Sequence, residues 1–164
     1  MSCFRFSALV FTAWGVIFTF FPHFTNNFGG IGYTKAEFNE DSISGGLPVG
    51  GNTVPNTPDY TASLGIQLSR TLTQGASLYG RAEATFSGAF EYDELNTERQ
   101  DSYSLANFRA GVRGRFVFVE GWIRNAFDTK YIPLAFAYGA LAPSGFIGEM
   151  GRPRTFGISA GVGF

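Results

Sequence analysis

The last ten residues, TFGISAGVGF from Thr155 to Phe164, alternate without a break. Phe156, Ile158, Ala160, Val162 and Phe164 fall on one face, and Thr155, Gly157, Ser159, Gly161 and Gly163 on the other. A period of two is a strand, because successive side chains point to opposite sides of the pleat. About ten residues is also the length that carries a tilted strand across a bilayer core. A soluble sandwich would accept one such strand too, packing its apolar face on a second sheet. The other strands have to decide.

They repeat the pattern at unusual length. Strands are expected at 13–21, 28–39, 60–71, 76–90, 103–113, 116–127 and 155–164. Most exceed the usual 5 or 6 residues of globular proteins. Connections alternate between short and long. Short turns fall near 22–27, at Thr73-Gln74-Gly75 with Gly75 in the left-handed position, and at Gly114-Arg115. Loops rich in Gly, Pro, Asn or charge fall at 40–58, 91–102 and 128–151. Short turns at one end and long loops at the other mark an outer-membrane barrel with its long loops outside the cell. The Gly114-Arg115 turn pairs Arg113 with Phe116 and sets Arg109 opposite Glu120.

Each strand has one face of small or apolar residues. The opposite face holds full charges: Arg81, Glu83, Arg109, Arg113, Glu120 and Arg124. In a barrel that face turns to the lumen and the apolar face meets lipid. Composition fits: charged residues are 15%, against roughly 25% in soluble domains. Mean hydropathy is only +0.04, because a two-faced strand averages out its membrane signal. A sandwich would need a second apolar core face, which the chain does not offer. The expected fold is therefore all-β: an antiparallel transmembrane β-barrel segment of about seven up-and-down strands, an incomplete barrel. Tyr60, Phe90, Tyr92, Tyr131 and Phe136 lie at strand ends, where an aromatic girdle or simple loop packing would place them.

Residues 4–21 are almost continuously apolar. They lack the basic start and small-residue cleavage site of a signal peptide. They fall at the margin of the roughly 20 residues of a membrane helix, and their Phe, Val, Ile and Thr suit strands better. Residues 1–12 stay unassigned, and 13–164 form the barrel segment.

Several chemistries find no support. A net charge of -1 gives no electrostatic case for nucleic acid. With a single cysteine, Cys3, no internal disulfide or cysteine metal site is possible, and His23, the sole histidine, reads as a surface or turn residue. Glu83 and Glu120 share their face with arginines and lack an acid–base partner of another kind, so no hydrolytic pair is assigned. Asp93, Glu94, Glu98 and Asp101 lack the spacing of a calcium loop and read as a solvated acidic loop. Gly29-Gly30-x-Gly32 precedes no helix and so forms no phosphate cradle. No catalytic residue, metal or cofactor is expected.

The residues also resemble a family. Asn125-Ala126-Phe127-Asp128-Thr129-Lys130-Tyr131 is similar to the NxFDxxY signature near the C-terminal end of TonB-dependent outer-membrane receptors. Gly32 to Phe38, Gly51-Asn52 with Pro55 to Tyr60, Tyr103 to Asn107 and Gly151 to Gly157 follow in the family's order. The closing stretch, with Phe156, Ile158, Val162 and Phe164, resembles the terminal signal by which such barrels are recognised for assembly. A departure is Ile17, where the family often has an acidic residue after Gly-Val. The resemblance covers about residues 13–164.

It implies part of an outer-membrane receptor for active uptake of a scarce ligand, most often an iron–siderophore complex. Implied partners are outer-membrane lipid, the remainder of the barrel and its plug, the TonB complex through an N-terminal part, and the barrel-assembly machinery. Such receptors have a plug and about 22 strands. About seven strands, without a plug or a TonB-contacting box, correspond to the C-terminal third of a receptor barrel, as a fragment or a truncated reading frame. The alternative is an independent eight-stranded barrel with a structural or adhesive role, its eighth strand drawn from residues 1–12.

Overall fold

The computed structural model describes residues 4–9, 25–138 and 145–163. In chain order the strands are β1 (Phe4–Leu9), β2 (Thr25–Phe38), β3 (Ile43–Ser44), β4 (Leu47–Pro48), β5 (Tyr60–Thr73) and β6 (Ala76–Ser87). Then follow β7 (Phe90–Glu91), β8 (Arg99–Gln100), β9 (Tyr103–Gly114), β10 (Val117–Arg124), β11 (Leu134–Ala137), β12 (Phe146–Glu149) and β13 (Thr155–Val162). Seven of them form one antiparallel sheet in the order β1-β2-β5-β6-β9-β10-β13. The pairs β3–β4, β7–β8 and β11–β12 are small ribbons inside the three long loops. The sheet is an up-and-down meander that does not close, since β1 and β13 are its two ends.

The ladders carry the alternation across the whole sheet. Gln67, Arg81, Arg109, Trp122 and Gly157 stand side by side on β5, β6, β9, β10 and β13, on one face. One residue on, Leu68, Gly80, Ala110, Gly121 and Ile158 stand side by side on the other. The apolar face is uncovered: Phe156 is 78% exposed, Ile158 80% and Val162 67%. The wall is one layer thick. Its buried apolar residues, Ala36, Val49, Phe90 and Ala135, lie at the long-loop end rather than between two sheets.

The long loops are bonded to one another. The Asn96 side chain accepts from the Thr53 N–H at 2.8 Å and donates to the Thr53 carbonyl at 3.0 Å. Asn52 Nδ2 donates to the Glu94 carbonyl, and the Asn56 N–H to that of Glu91. Tyr92 Oη donates to the Ile132 carbonyl, and the Ile132 N–H to Gln100 Oε1, each at 2.7 Å. The loops after β2, β6 and β10 thus form a connected rim.

Several sequence expectations need correction. The expected strand at 13–21 and the first half of the expected turn, Pro22-His23-Phe24, lie outside the described residues, as do Cys3 and Phe164. Its second half, Thr25-Asn26-Asn27, is already strand, because these residues pair with Leu68, Gln67 and Ile66 of β5. The stretch left unassigned contains β1, which pairs with the upper half of β2 as the first of the seven strands. The β5–β6 turn is Gln74-Gly75, with Thr73 paired to Ala76 and a bulge at Leu72. The bulge absorbs the extra residue, and Gly75 does not take the left-handed conformation. The β9–β10 turn is Arg115-Phe116, one residue later than expected. Arg109 therefore pairs with Trp122, and Glu120 with Gly111. A slip of two residues preserves the faces but changes every partner. The adopted register sets Glu120 opposite Gly111, where the Tyr79 hydroxyl reaches its carboxylate. β6 stops at Ser87 and β10 at Arg124, both short of expectation, because Phe90 turns into the loop ribbon and Asn125 breaks the strand with φ 46°.

Candidate functional site

Two arrangements bring the singled-out residues together. The first is the polar face. Its arginines do not point freely into space. Glu83 lies between two of them, bonded to Arg81 along β6 and to Arg109 Nη2 across the ladder at 3.4 Å. Glu120 sits in the β10 ladder opposite Gly111. With no side chain there, Tyr79 reaches across from β6 and donates its hydroxyl to Glu120 Oε2 at 2.7 Å. Gln67, Ser69, Ser77 and Arg113 complete a hollow of about 320 Å³ around these groups.

Three of the arginines lie on rings. Arg81 is 4.5 Å from the Phe28 ring centroid, Arg113 is 5.5 Å from that of Tyr79, and Arg124 is 5.1 Å from that of Trp122. Each ring in turn lies beside a glycine of the next strand: Phe28 at Gly65, Tyr79 at Gly111 and Trp122 at Gly157. Phe118, without an arginine, covers Gly161 in the same way. A ring needs the space a Cβ would occupy: at Gly65 that atom would fall 2.2 Å from Phe28 Cζ. Glycine, flat ring and guanidinium form a repeated unit, held by apolar contact and the attraction of a cation to a ring face. Trp122 adds a hydrogen bond from Nε1 to Ser159 Oγ at 3.1 Å.

The second arrangement is a clasp at the end of β10. Asn125 is 5% exposed and its left-handed φ suits an asparagine. Its Nδ2 donates to the Thr129 carbonyl at 2.9 Å and to the Arg152 carbonyl at 3.0 Å. Its Oδ1 accepts from the Thr129 N–H at 2.9 Å, and its own N–H donates to Asn107 Oδ1 at 3.1 Å. Asp128 accepts from the Arg154 N–H through Oδ1 and pairs with Lys130 through Oδ2, both at 2.9 Å. The Arg154 amide and then the Lys130 ammonium hold the Asp128 carboxyl below the ordinary carboxylate range. Tyr131 stacks on Tyr103 with centroids 4.5 Å apart and fills the space over Gly151. Phe127 is exposed.

Four segments far apart in sequence thus meet at one corner: Tyr103 with Asn107, Asn125 with Asp128, Tyr131, and Gly151 to Arg154. The clasp fixes how the chain leaves β10 and re-enters as β13. The bonds of its asparagine and aspartate hold this corner together. Loop aromatics behave in the same way. Phe90 is buried edge-on to Tyr92, and Tyr131 packs in the clasp, so neither joins a lipid-facing girdle. Tyr92 is bonded to the Ile132 carbonyl, and burial pushes its hydroxyl pKa up. Tyr60 does lie on the apolar face, paired with Tyr33. Phe136 is exposed on β11. In the acidic loop, the Asp93 carboxylate bonds the Thr97 and Glu98 amides and the Thr97 hydroxyl, shaping the turn itself. The sequence points to no partner for Tyr79, Trp122, Asn96 or Asn107. Strand register brings the first two to Glu120 and Ser159, and contacts between distant segments bring the last two to Thr53 and Asn125.

An open meander of long two-faced strands, with one charged and one bare apolar face, defines a section of membrane β-barrel wall. The chain matches the family model described as TonB dependent receptor-like, beta-barrel, over residues 6–126, and it belongs to that family. Its place is the bacterial outer membrane. Solved structures agree. The ferric yersiniabactin uptake receptor FyuA from Yersinia pestis superposes over 88% of this chain with TM-score 0.75 and 22% identity. The siderophore receptor PiuA from Acinetobacter baumannii does so over 84%, with TM-score 0.64 and 22% identity. The ferric-catecholate import receptor Fiu from E. coli K12 covers 85%, with TM-score 0.63 and 25% identity. The chain spans about a fifth of these receptors: 22%, 19% and 19% of their lengths.

Proposed function

We propose that these residues form the C-terminal part of the barrel of a TonB-dependent outer-membrane receptor that actively imports a scarce ligand, an iron–siderophore complex. The observation that carries this reading is the seven-stranded open sheet, which superposes on one section each of a ferric yersiniabactin uptake receptor, a siderophore receptor and a ferric-catecholate import receptor. In this reading the polar face is the lumen wall. Arg81, Glu83, Arg109, Arg113, Glu120 and Arg124 keep that wall wet and fix their neighbours, while the remainder of the barrel pairs with the free edges of β1 and β13. The plug and the contact with TonB belong to the receptor's N-terminal part. The last strand, with Phe156, Ile158, Val162 and Phe164, addresses the chain to the barrel-assembly machinery.

The test is uptake of labelled ferric siderophores by cells whose only receptor carries this segment. Import that stops when TonB is deleted or the proton gradient is collapsed is the expected result. Uptake independent of both, across a panel of catecholate, hydroxamate and phenolate siderophores, would count against the reading.

A further inference from the structure

Arg70 is the one charged residue on the apolar face of β5, β6, β9, β10 and β13. It is exposed, and among the described residues it has no hydrogen bond or ion pair. A guanidinium on a face turned to hydrocarbon is costly unless its head reaches the polar interface. Its height allows that. Tyr60, at the long-loop end of β5, is ten residues above it. At about 3.3 Å per residue and about 40° of tilt, that separation is roughly 25 Å, the height of a barrel's apolar band. Arg70 therefore lies at the interface beside the short turns, which face the periplasm.

Beside it the wall is hollow. Leu68, Arg70, Leu78, Gly80 and Ala110 line a trough of about 560 Å³ on this face. It runs on into a second hollow of about 460 Å³ past Ile66, Ala82, Phe108 and Ile123, with Leu68, Gly80 and Ala110 common to both. Gly80, Ala110 and Gly121 are ladder neighbours, so the floor has almost no side chains. The open space above Gly80 is confirmed by its missing Cβ, whose nearest neighbour would be 4.0 Å away. Leucine, isoleucine and phenylalanine form the banks.

We propose that the trough and Arg70 form a site for one anionic phospholipid of the periplasmic leaflet, phosphatidylglycerol. The phosphodiester takes the guanidinium in a charge-assisted, two-pronged contact. One acyl chain lies along the floor over Gly80 and Ala110. The charge complementarity and the periplasmic height favour this lipid over the lipid A of the opposite leaflet, whose interface lies at the Tyr33 and Tyr60 end. The inference rests on the segment being part of a closed receptor barrel and is independent of the ligand imported.

The experiment is native mass spectrometry of the intact receptor in detergent, titrated with phosphatidylglycerol, phosphatidylcholine or lipid A. Heat-modifiable migration is checked first; a receptor that does not close reports on the barrel reading rather than on the lipid. A closed receptor should retain one phosphatidylglycerol in preference to phosphatidylcholine. Arg70→Gln should weaken its apparent affinity about fivefold, the effect of one basic residue at an anionic lipid surface. Gly80→Leu, which fills the floor with Arg70 intact, should lower it as well. Loss in Arg70→Gln alone would mean an ordinary headgroup contact without a trough site, and would overturn the proposal. Equal occupancy in the wild type and both variants, a preference for lipid A, or a closed wild type holding no phosphatidylglycerol would each overturn it too.

Discussion

At the scale of single residues, Asn125 shows what its signature is for. One side chain bonds the turn that follows it and the strand entry at Arg152. Alanine at this position would leave those carbonyls and the Thr129 amide unpaired in a nearly closed site, and would force a left-handed φ on a residue that disfavours it. Asn125→Ala should destabilise the folded receptor by about 1–3 kcal/mol, read as a lower urea midpoint in lipid vesicles; an unchanged midpoint would show the clasp to be incidental. Asp128 adds a pH dependence. Its folded pKa is lowered, so its stabilising contribution is fully present above the unfolded value of about 3.9 and is lost as pH falls through the folded one. The difference in midpoint between wild type and Asp128→Asn should accordingly be constant above about pH 5 and shrink in acid below about pH 4. A difference that grew on acidification would reverse the sign assigned here.

At the scale of elements, the unit of construction on the polar face is a ring laid over the glycine of the next strand. Gly65→Ala puts a methyl where the Phe28 ring lies and displaces the ring from under Arg81. The displaced ring loses its contact with both the glycine and the guanidinium, so the variant should unfold at lower urea than Gly80→Ala, whose added methyl meets open space. Equal midpoints for the two would remove the packing role of the ring. The same unit explains what could be read in advance. Alternation alone places Arg81, Glu83, Arg109, Arg113, Glu120 and Arg124 on one face, and the ladders agree. Partners are a different matter, because faces survive a two-residue slip and partners do not. Gly114 invites a turn, yet the chain turns one residue later, where Tyr79 can cross Gly111 to Glu120. The clasp was legible only as a family resemblance. Its bonds join residues as far apart as Asn125 and Arg152, a separation that no local pattern encodes.

At the scale of the whole molecule, the decisive property is an arc whose end strands, among the described residues, are paired on one side only. An unpaired edge strand leaves backbone groups unsatisfied in lipid at several kcal/mol each and offers a template for other chains. The described strands β1 and β13 are such edges. Long strands and alternating connection lengths made this arc readable from sequence; the bonded rim was not, since its loops were legible only as polar, glycine-rich connections. Assembly should also depend on the last residue: deleting Phe164 from the intact receptor is expected to lower its amount in the outer membrane at unchanged synthesis, as judged by membrane fractionation. The central claim is that these 164 residues are one section of a larger barrel. Its most direct test is the gel migration, with and without heating, of these residues expressed alone with a secretion signal. Aggregation or degradation, with no heat-modifiable monomer, is the predicted result. A heat-modifiable monomer in the outer membrane would mean that the chain closes by itself, and would contradict the account.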